Sequence, residues 1–266
     1  FVLDKNNIEK IPIGLYGEFF NQQLTFFLLP KNDLKNLKLI FNNCHLNIER
    51  VVFKNFADGI NLINKKRISK SLGIININKK RSKISIFENL SFVYSDNFSF
   101  GSDIIMSDVQ KVCSLNLDIV KNIFKNMSFE NLNKKENDYL DENFFQGDKF
   151  RKISLSHLND VVSARIEEII NLILIKNINL KYLKSENLDI YLLFEDENMF
   201  KNFKKNFEKK FSENQRVFID KLTHEENLGA CLGSAELMGK GWEREAIPII
   251  QTKKSIISRI FTTIFG

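Results

Sequence analysis

The sequence predicts an α/β protein built on a mixed sheet, and three observations carry that prediction. Apolar runs of strand length alternate along the chain with longer stretches whose apolar residues recur at helical spacing. Residues 72–100 hold three short β-branched and aromatic runs separated by polar turns, the pattern of an antiparallel meander. A strong helix then runs from Ser156 to about Ile178, with Leu158, Val161, Val162, Ile166, Ile169, Ile170, Ile173 and Leu174 forming its core face. With 266 residues and 43% hydrophobic content the chain can bury a core, as one large or two ordinary domains.

Residues 1–50 read as strand, strand, helix and strand. Leu24 to Leu29 is an apolar strand ended by Pro30. Asp33 to Asn42 carries Leu34, Leu37, Leu39 and Ile40 in a helical pattern. Val51 to Phe53 reads as a short strand and Ala57 to Ile63 as a helix. In the meander, Ile74 to Asn78 leads into the basic turn of Lys79, Lys80 and Arg81. Ile84, Ile86 and Phe87 form the next strand, and Phe92 to Tyr94 the third. Gly101 opens a helix over roughly Ile104 to Cys113, whereas residues 126–150 are polar and weakly patterned, as in a long loop. Beyond the long helix, Leu188 to Phe194 is a buried strand. Met199 to Phe211 is an amphipathic helix whose stripe of Phe200, Phe203, Phe207 and Phe211 belongs to a core. Asn227 to Met238 contains Gly229, Ala230, Gly233, Ser234 and Ala235, and small residues at that spacing predict a helix packed very closely on a neighbour. Residues 239–254 read as a tether.

The last twelve residues are the most informative stretch. Ile256, Ile257, Ile260, Phe261, Ile264 and Phe265 fall on one half of a helix at about 100° per residue, with Ser258, Arg259, Thr262 and Thr263 on the other. Ser255 is placed to cap the start, and Lys253 and Lys254 precede it. Such a helix rises about 15 Å, too little to span a bilayer, so the expected target is the interface of an anionic membrane. Six large apolar side chains supply several kcal/mol at about 25 cal/mol per Å², and each nearby cation adds about 1 kcal/mol. Docking of this helix on the protein's own core is the competing expectation.

The charge balance is mild, at 39 Lys and Arg against 33 Asp and Glu, net +6, and no nucleic-acid motif accompanies it. It suits an anionic lipid surface or an acidic peptide, and nucleic acid is not an expected partner. Cys44, Cys113 and Cys231 are isolated and odd in number, as in a reducing compartment without a disulfide frame. His45, His157 and His224 lie far apart, so no metal-ligand spacing is present. The most apolar stretch, Ile169 to Ile175, is interrupted by Asn171, and no apolar run reaches 18 residues.

The order of motifs resembles the bacterial cell-division protein FtsA, an actin-like family. Asp4 and the stretch from Ile11 to Gly17 resemble the family's "IDG…NPxGLxG" passage. Val51 to Ala57 resembles the strand and helix after its inserted subdomain, and Leu72 to Ile75 enters its second phosphate-binding hairpin. Gly101 to Asp108 resembles "GGxxxTxDI", and Ala164 to Ile169 resembles "PRxxEI". The terminal amphipathic helix resembles the family's membrane anchor.

The resemblance implies an actin-like (ribonuclease H-like) ATPase fold. It places the family's first ATPase hairpin and the first half of its inserted subdomain ahead of Phe1. Residues 1–47 then correspond to the second half of that SHS2-like subdomain and 48–71 to part of the first actin-like subdomain. Residues 72–225 correspond to the second lobe, 226–252 to the return helix and tether, and 253–266 to the membrane helix. The implied role is a non-enzymatic adapter that tethers FtsZ filaments, the Z ring, to the cytoplasmic face of the inner membrane at the septum. Its partners would be the FtsZ C-terminal tail, anionic lipid, other divisome proteins and further copies of itself. An ATP-dependent actin-like polymer or another membrane-associated scaffold is the alternative.

Three sets of site residues follow from the resemblance. Arg151, Arg165 and Glu168 match positions that receive the FtsZ tail, Arg165 through a bidentate fork. Read without the resemblance, Arg165 and Glu168 are an ordinary solvated pair one helical turn apart. Lys253, Lys254, Ile256, Ile257, Arg259, Ile260, Phe261, Ile264 and Phe265 form the membrane-binding set. The nucleotide positions are Asn76, Asn78, Lys79, Lys80, Phe194 and Glu195. The family hairpin reads "VDIGGGTTDIAVF", whereas here its glycines are absent and Asn76 stands for its acidic residue. The glycine-rich loop near the adenine is replaced by Phe194 and Glu195. Binding of ATP and magnesium is therefore expected to be weak or lost, with Lys79, Lys80 and Arg81 left as an exposed basic tip.

Overall fold

The structure is a computed structural model that describes residues 1–8, 14–22, 24–68, 71–127, 138–145, 149–177, 189–194, 204, 217–221 and 228–242. The expected phenylalanine-striped helix and the expected terminal helix, with all nine membrane-binding residues, lie outside the described residues, as does Glu195. The chain divides into two compact units, one of Phe1–Leu28 with Glu243–Gly266, the other of Leu29–Trp242.

In the first unit, β1 (Val2–Leu3) pairs antiparallel with β2 (Asn6–Asn7) and with β3 (Phe20–Asn21). The β1–β2 turn is the two residues Asp4 and Lys5, both at positive φ, the mirror-image turn that matches the twist of a hairpin. Asp4 Oδ1 accepts from the backbone N–H groups of Glu18 (3.0 Å) and Phe19 (2.8 Å), which ties the turn to the start of β3. The strand expected over Leu24 to Leu29 does not form: these residues pair with no strand, and an apolar run alone supplies no ladder partner.

The second unit opens with α1 (Lys31–Asn43), which has no buried residue. Val51 to Phe53 is not a strand. Phe53 has extended backbone because it is the N-cap of α2 (Lys54–Lys66), a position that adopts β-region angles. The sheet follows, with β4 (Leu72–Ile77), β5 (Ser82–Glu88), β6 (Ser91–Phe98), β7 (Asp189–Phe194) and β8 (Val217–Lys221). Their order is β6-β5-β4-β7-β8, with β4, β5 and β6 antiparallel and β7 and β8 added parallel to β4. This is the expected meander within a mixed sheet. Asn89 and Leu90, both at positive φ, close the β5–β6 hairpin.

Between β4–β6 and β7 the chain forms α3 (Asp103–Val112), α4 (Leu117–Asn126), a 3-10 turn at Glu142–Phe145 and α5 (Leu155–Ile170), which continues as a π-helical turn over Asn171–Ile175. α4 is an element that the sequence reading leaves out. Ser154 caps α5, its Oγ accepting from His157 N–H at 3.5 Å. Of residues 126–150, Asp138 and Leu140 are tied to the start of α5 across the isolated Tyr139–Ser154 bridge, Leu140 N–H donating to Ile153 O and Asp138 O accepting from Leu155 N–H, both at 2.9 Å.

Strand alternation gives the sheet two apolar faces. Ile75, Ile77, Ile84, Ile86, Leu192 and Phe194 share one buried cluster with Ile105 and Val109 of α3, Val120 and Ile123 of α4, and Leu158, Val162 and Ile166 of α5. On the other face Phe87 and Phe92 meet Phe56 of α2, with ring centroids 5.0–6.3 Å apart. The last helix among the described residues, α6 (Gly229–Lys240), packs on α2. The close packing expected from its small residues is present: a Cβ on Gly233 would stand 2.7 Å from the carbonyl carbon of Ala57 and nearer still to its oxygen.

Candidate functional site

The β4–β5 turn runs from Asn78 to Arg81 and is closed by Asn78 N–H donating to Arg81 O at 3.0 Å. Lys79, Lys80 and Arg81 are exposed at its tip, as the sequence predicts. The turn's carbonyls face the start of α3. Ser102 N–H donates to Asn78 O (3.0 Å) and Asp103 N–H to Lys79 O (2.8 Å). Two of the N–H groups that a helix start leaves without intrahelical partners are thereby satisfied inside the protein. Gly101 is what allows the approach, because a Cβ there would stand 2.7 Å from the carbonyl carbon of Lys79 and nearer still to Asn78 O. The Ser82 hydroxyl adds a bond to Phe100 O at 2.8 Å.

One step back from this turn the ladder pairs Asn76 with Lys83. Asn76 Oδ1 is buried and accepts no hydrogen bond. Lys83 is partly buried, and burial, with the neighbouring Lys54 and Arg81 cations, lowers the pKa of its ammonium, while Asp58 opposes the shift. Lys54 and Asp58 pair at 2.7 Å on the first turn of α2. Lys83 is the residue that the sequence reading misses here. A four-residue turn fixes the register Ile77 to Ser82, and the next rung is Asn76 to Lys83. Phe194 is fully buried at the end of β7, opposite Ile77, and fills the core.

A second cluster lies on α3 and α5. Arg165 donates Nε–H to Asp108 Oδ2, an ion pair between the two helices, and Nη1–H to Glu168 Oε2 at 2.6 Å. The i,i+3 pair expected from sequence is present, and Asp108 is a partner that sequence spacing does not reveal, 57 residues away. The side chains of Arg165 and Asp108 are 26% and 20% exposed and that of Glu168 is 51% exposed, so Glu168 is the partner that water reaches. The hydrogen bond to Asp108, more than either Coulombic attraction, raises the guanidinium pKa further. Arg151 does not join this cluster through any bond among the described residues. Its Nη1–H donates to Ser114 O, just past α3, where Ser114 sits at positive φ.

Against solved structures, the chain matches MreB5 of Spiroplasma citri bound to AMPPNP with a TM-score of 0.51 and 13% identity, over 79% of this chain and 65% of that one. The fold is actin-like. The same protein bound to ADP matches with a TM-score of 0.50. In sequence the chain is similar to the cell division protein FtsA of Agrobacterium fabrum, 22% identical over 118 residues, and to that of Rhizobium meliloti at the same identity and length. The match covers 44% of this chain and spans 27% of the length of either FtsA. No protein-family model matches the chain.

An actin-like fold implies a nucleotide with its metal at the β4–β5 hairpin, and the residues present do not fit one. The turn has no glycine, its carbonyls are occupied by α3, and no carboxylate stands at position 76. At Gly101 the helix start and the turn are in direct backbone contact, with no room for even a Cβ between them. Among the described residues no group of three or more His, Cys, Asp or Glu is arranged to hold a metal ion, and no helix is long and apolar enough to cross a membrane.

Proposed function

We propose that this chain belongs to a cell-division adapter that links the C-terminal tail of an FtsZ-like filament protein to the cytoplasmic face of the membrane. The observation that carries the reading is Arg165, a surface cation anchored on α3 by Asp108 in a chain that is similar to FtsA over 118 residues. The guanidinium has five N–H donors, of which the bonds to Asp108 and Glu168 use two. An acidic tail competes with Glu168, the exposed partner, for this fork. Membrane attachment is assigned to residues 253–266 on their helical pattern alone. An ATP-dependent polymer is the second reading, and it requires a nucleotide site that the hairpin does not provide.

The test is co-sedimentation with anionic vesicles of the chain and a fluorescent FtsZ C-terminal peptide. Wild type is expected to carry the peptide down with the vesicles. Arg165→Glu should bind vesicles normally but lose about tenfold or more in peptide affinity, since it removes charge-assisted bonds and adds a repulsive charge. Phe261→Asp should bind peptide but stay in solution. Unchanged peptide affinity in Arg165→Glu removes the α3–α5 face from the tail site. A Phe261→Asp chain that still sediments removes the terminal segment from the membrane.

A further inference from the structure

Helix α6 is apolar on both sides. Gly229, Gly233 and Leu237 are buried and fall on one side, where Gly233 meets the backbone of Ala57 on α2. Leu228, Cys231, Leu232, Ala235, Met238 and Gly239 are exposed and fall on the opposite side, and none of the six is charged. Leu228, Leu232 and Met238 are 55%, 48% and 56% exposed. A surface helix ordinarily turns charged residues outward, so an outer face of this kind is built to meet something other than water. The charges around it say what. The 2.6 Å bond from Asn64 to Glu236 sets the last turn of α2 beside the C-terminal half of α6. Lys65, Lys66 and Arg67 end α2 and Lys240 ends α6, all of them exposed, so four cations gather at the C-terminal end of the outer face. Glu225 and Glu226 precede the helix, so the basic end is the one from which the chain continues through Trp242 to residues 253–266. Apolar side chains rimmed by Lys and Arg, with a tryptophan at the basic end, have the chemistry of a face that lies in the headgroup region of an anionic bilayer.

We propose that the outer face of α6 lies on the anionic bilayer as a second lipid contact, beside the terminal segment. The inference rests on the membrane reading of residues 253–266. Residues 243–252 join the two and reach at most about 35–40 Å, so a terminal helix seated in the bilayer keeps α6 within reach of the same surface. Three half-exposed apolar side chains bind lipid weakly by themselves. Tethered to a first contact they act at high effective concentration, and the two contacts together bind more firmly than either. The second contact also decides how the lobe stands on the membrane. A terminal helix alone leaves the lobe free to swing on its tether, whereas α6 lying on the bilayer fixes one side of the lobe against the lipid.

The test uses the full 266-residue chain and vesicles of phosphatidylglycerol and phosphatidylcholine, with and without a lipid that carries a nitroxide quencher near its headgroup. Trp242, two residues past α6 and the only tryptophan, reports how near the helix end comes to the lipid. Its emission is expected to be quenched on vesicles that carry the nitroxide and not on those that lack it. Leu232→Asp and Met238→Asp should each need about tenfold more lipid for half-binding and lose the quenching, with an unchanged melting temperature. Wild type that sediments with vesicles while Trp242 stays unquenched overturns the proposal and leaves the terminal anchor standing. Aspartate variants that bind and quench like wild type do the same. Wild type that does not sediment at all overturns the membrane reading and this inference with it. Dimerisation without lipid that rises with protein concentration and is abolished by Leu232→Asp gives the face to a second copy and overturns the lipid assignment. Where an aspartate variant does not fold, the quenching of wild type decides.

Discussion

Replacing Gly233 by alanine tests how closely the last helix is seated. Taken alone, a mid-helix glycine-to-alanine change favours the helix by about 1 kcal/mol. Here the added Cβ would stand 2.7 Å from the carbonyl carbon of Ala57 and 3.2 Å from its Cα, both backbone atoms that cannot swing away. Ordinary carbon contacts lie at about 3.5–4.0 Å, so α6 and α2 must part by roughly 1 Å, which forfeits a quarter to a half of each contact between them. Overpacking of this kind costs about 1–3 kcal/mol, and separation also strains the 2.6 Å bond from Asn64 to Glu236 that ties the helices together. Against backbone atoms the cost falls in the upper part of that range and outweighs the propensity gain, and the expected net loss is about 1–2 kcal/mol, a fall of roughly 2–8 °C in melting temperature. Gly239, in the same helix, has nothing within 4 Å of its Cβ position, so Gly239→Ala should gain a few tenths of a kcal/mol or more from propensity. Urea denaturation of both variants beside wild type is the assay. If Gly233→Ala matches Gly239→Ala in stability, the close approach of α6 to α2 is refuted.

Gly101→Ala should push α3 off the β4–β5 turn. Losing the two bonds to Asn78 O and Lys79 O costs about 1–3 kcal/mol, and amide exchange at Ser102 and Asp103 should speed up before the rest of α3 responds. Burial raises the thiol pKa of Cys113, whereas Cys44 and Cys231 are exposed. Since the thiolate is the reactive form, iodoacetamide followed by mass spectrometry at pH 8 should label Cys44 and Cys231 first. Labelling of Cys113 should rise as pH increases toward its elevated pKa. Equal labelling of all three at pH 8 would contradict its burial.

Much of the fold was legible because it depends on local pattern. β4 to β6 alternate β-branched and aromatic residues between polar turns, and that alternation decides both strand and face. α5 and the π-helical turn that continues it show eight apolar residues at helical spacing, and Gly229 and Gly233 announce a close helix pair. α4 was missed although Ile119, Val120, Ile123 and Phe124 carry the helical period and Asn116 stands at its N-cap. Leu24 to Leu29 failed in the opposite sense: it has strand composition, but a strand exists only where another pairs with it. The sites were less legible. Arg165 and Glu168 are neighbours on a helix, and their pairing follows from spacing. Asp108 joins them only because α3 packs on α5, and no local pattern records that contact. Lys83 lies between these cases, since its pairing with Asn76 follows from a turn length that the sequence displays.

Trp242 is the only tryptophan in the chain. It lies two residues past the end of α6, and its indole N–H donates to the carbonyl of Leu90, in the β5–β6 turn, at 3.0 Å. Excited where tyrosine does not absorb, this chain thus emits from one ring fastened to one hairpin. Release of that bond exposes the indole to water and shifts its emission to the red, so lifting of the last helix from the lobe can be followed optically in native protein without an added dye.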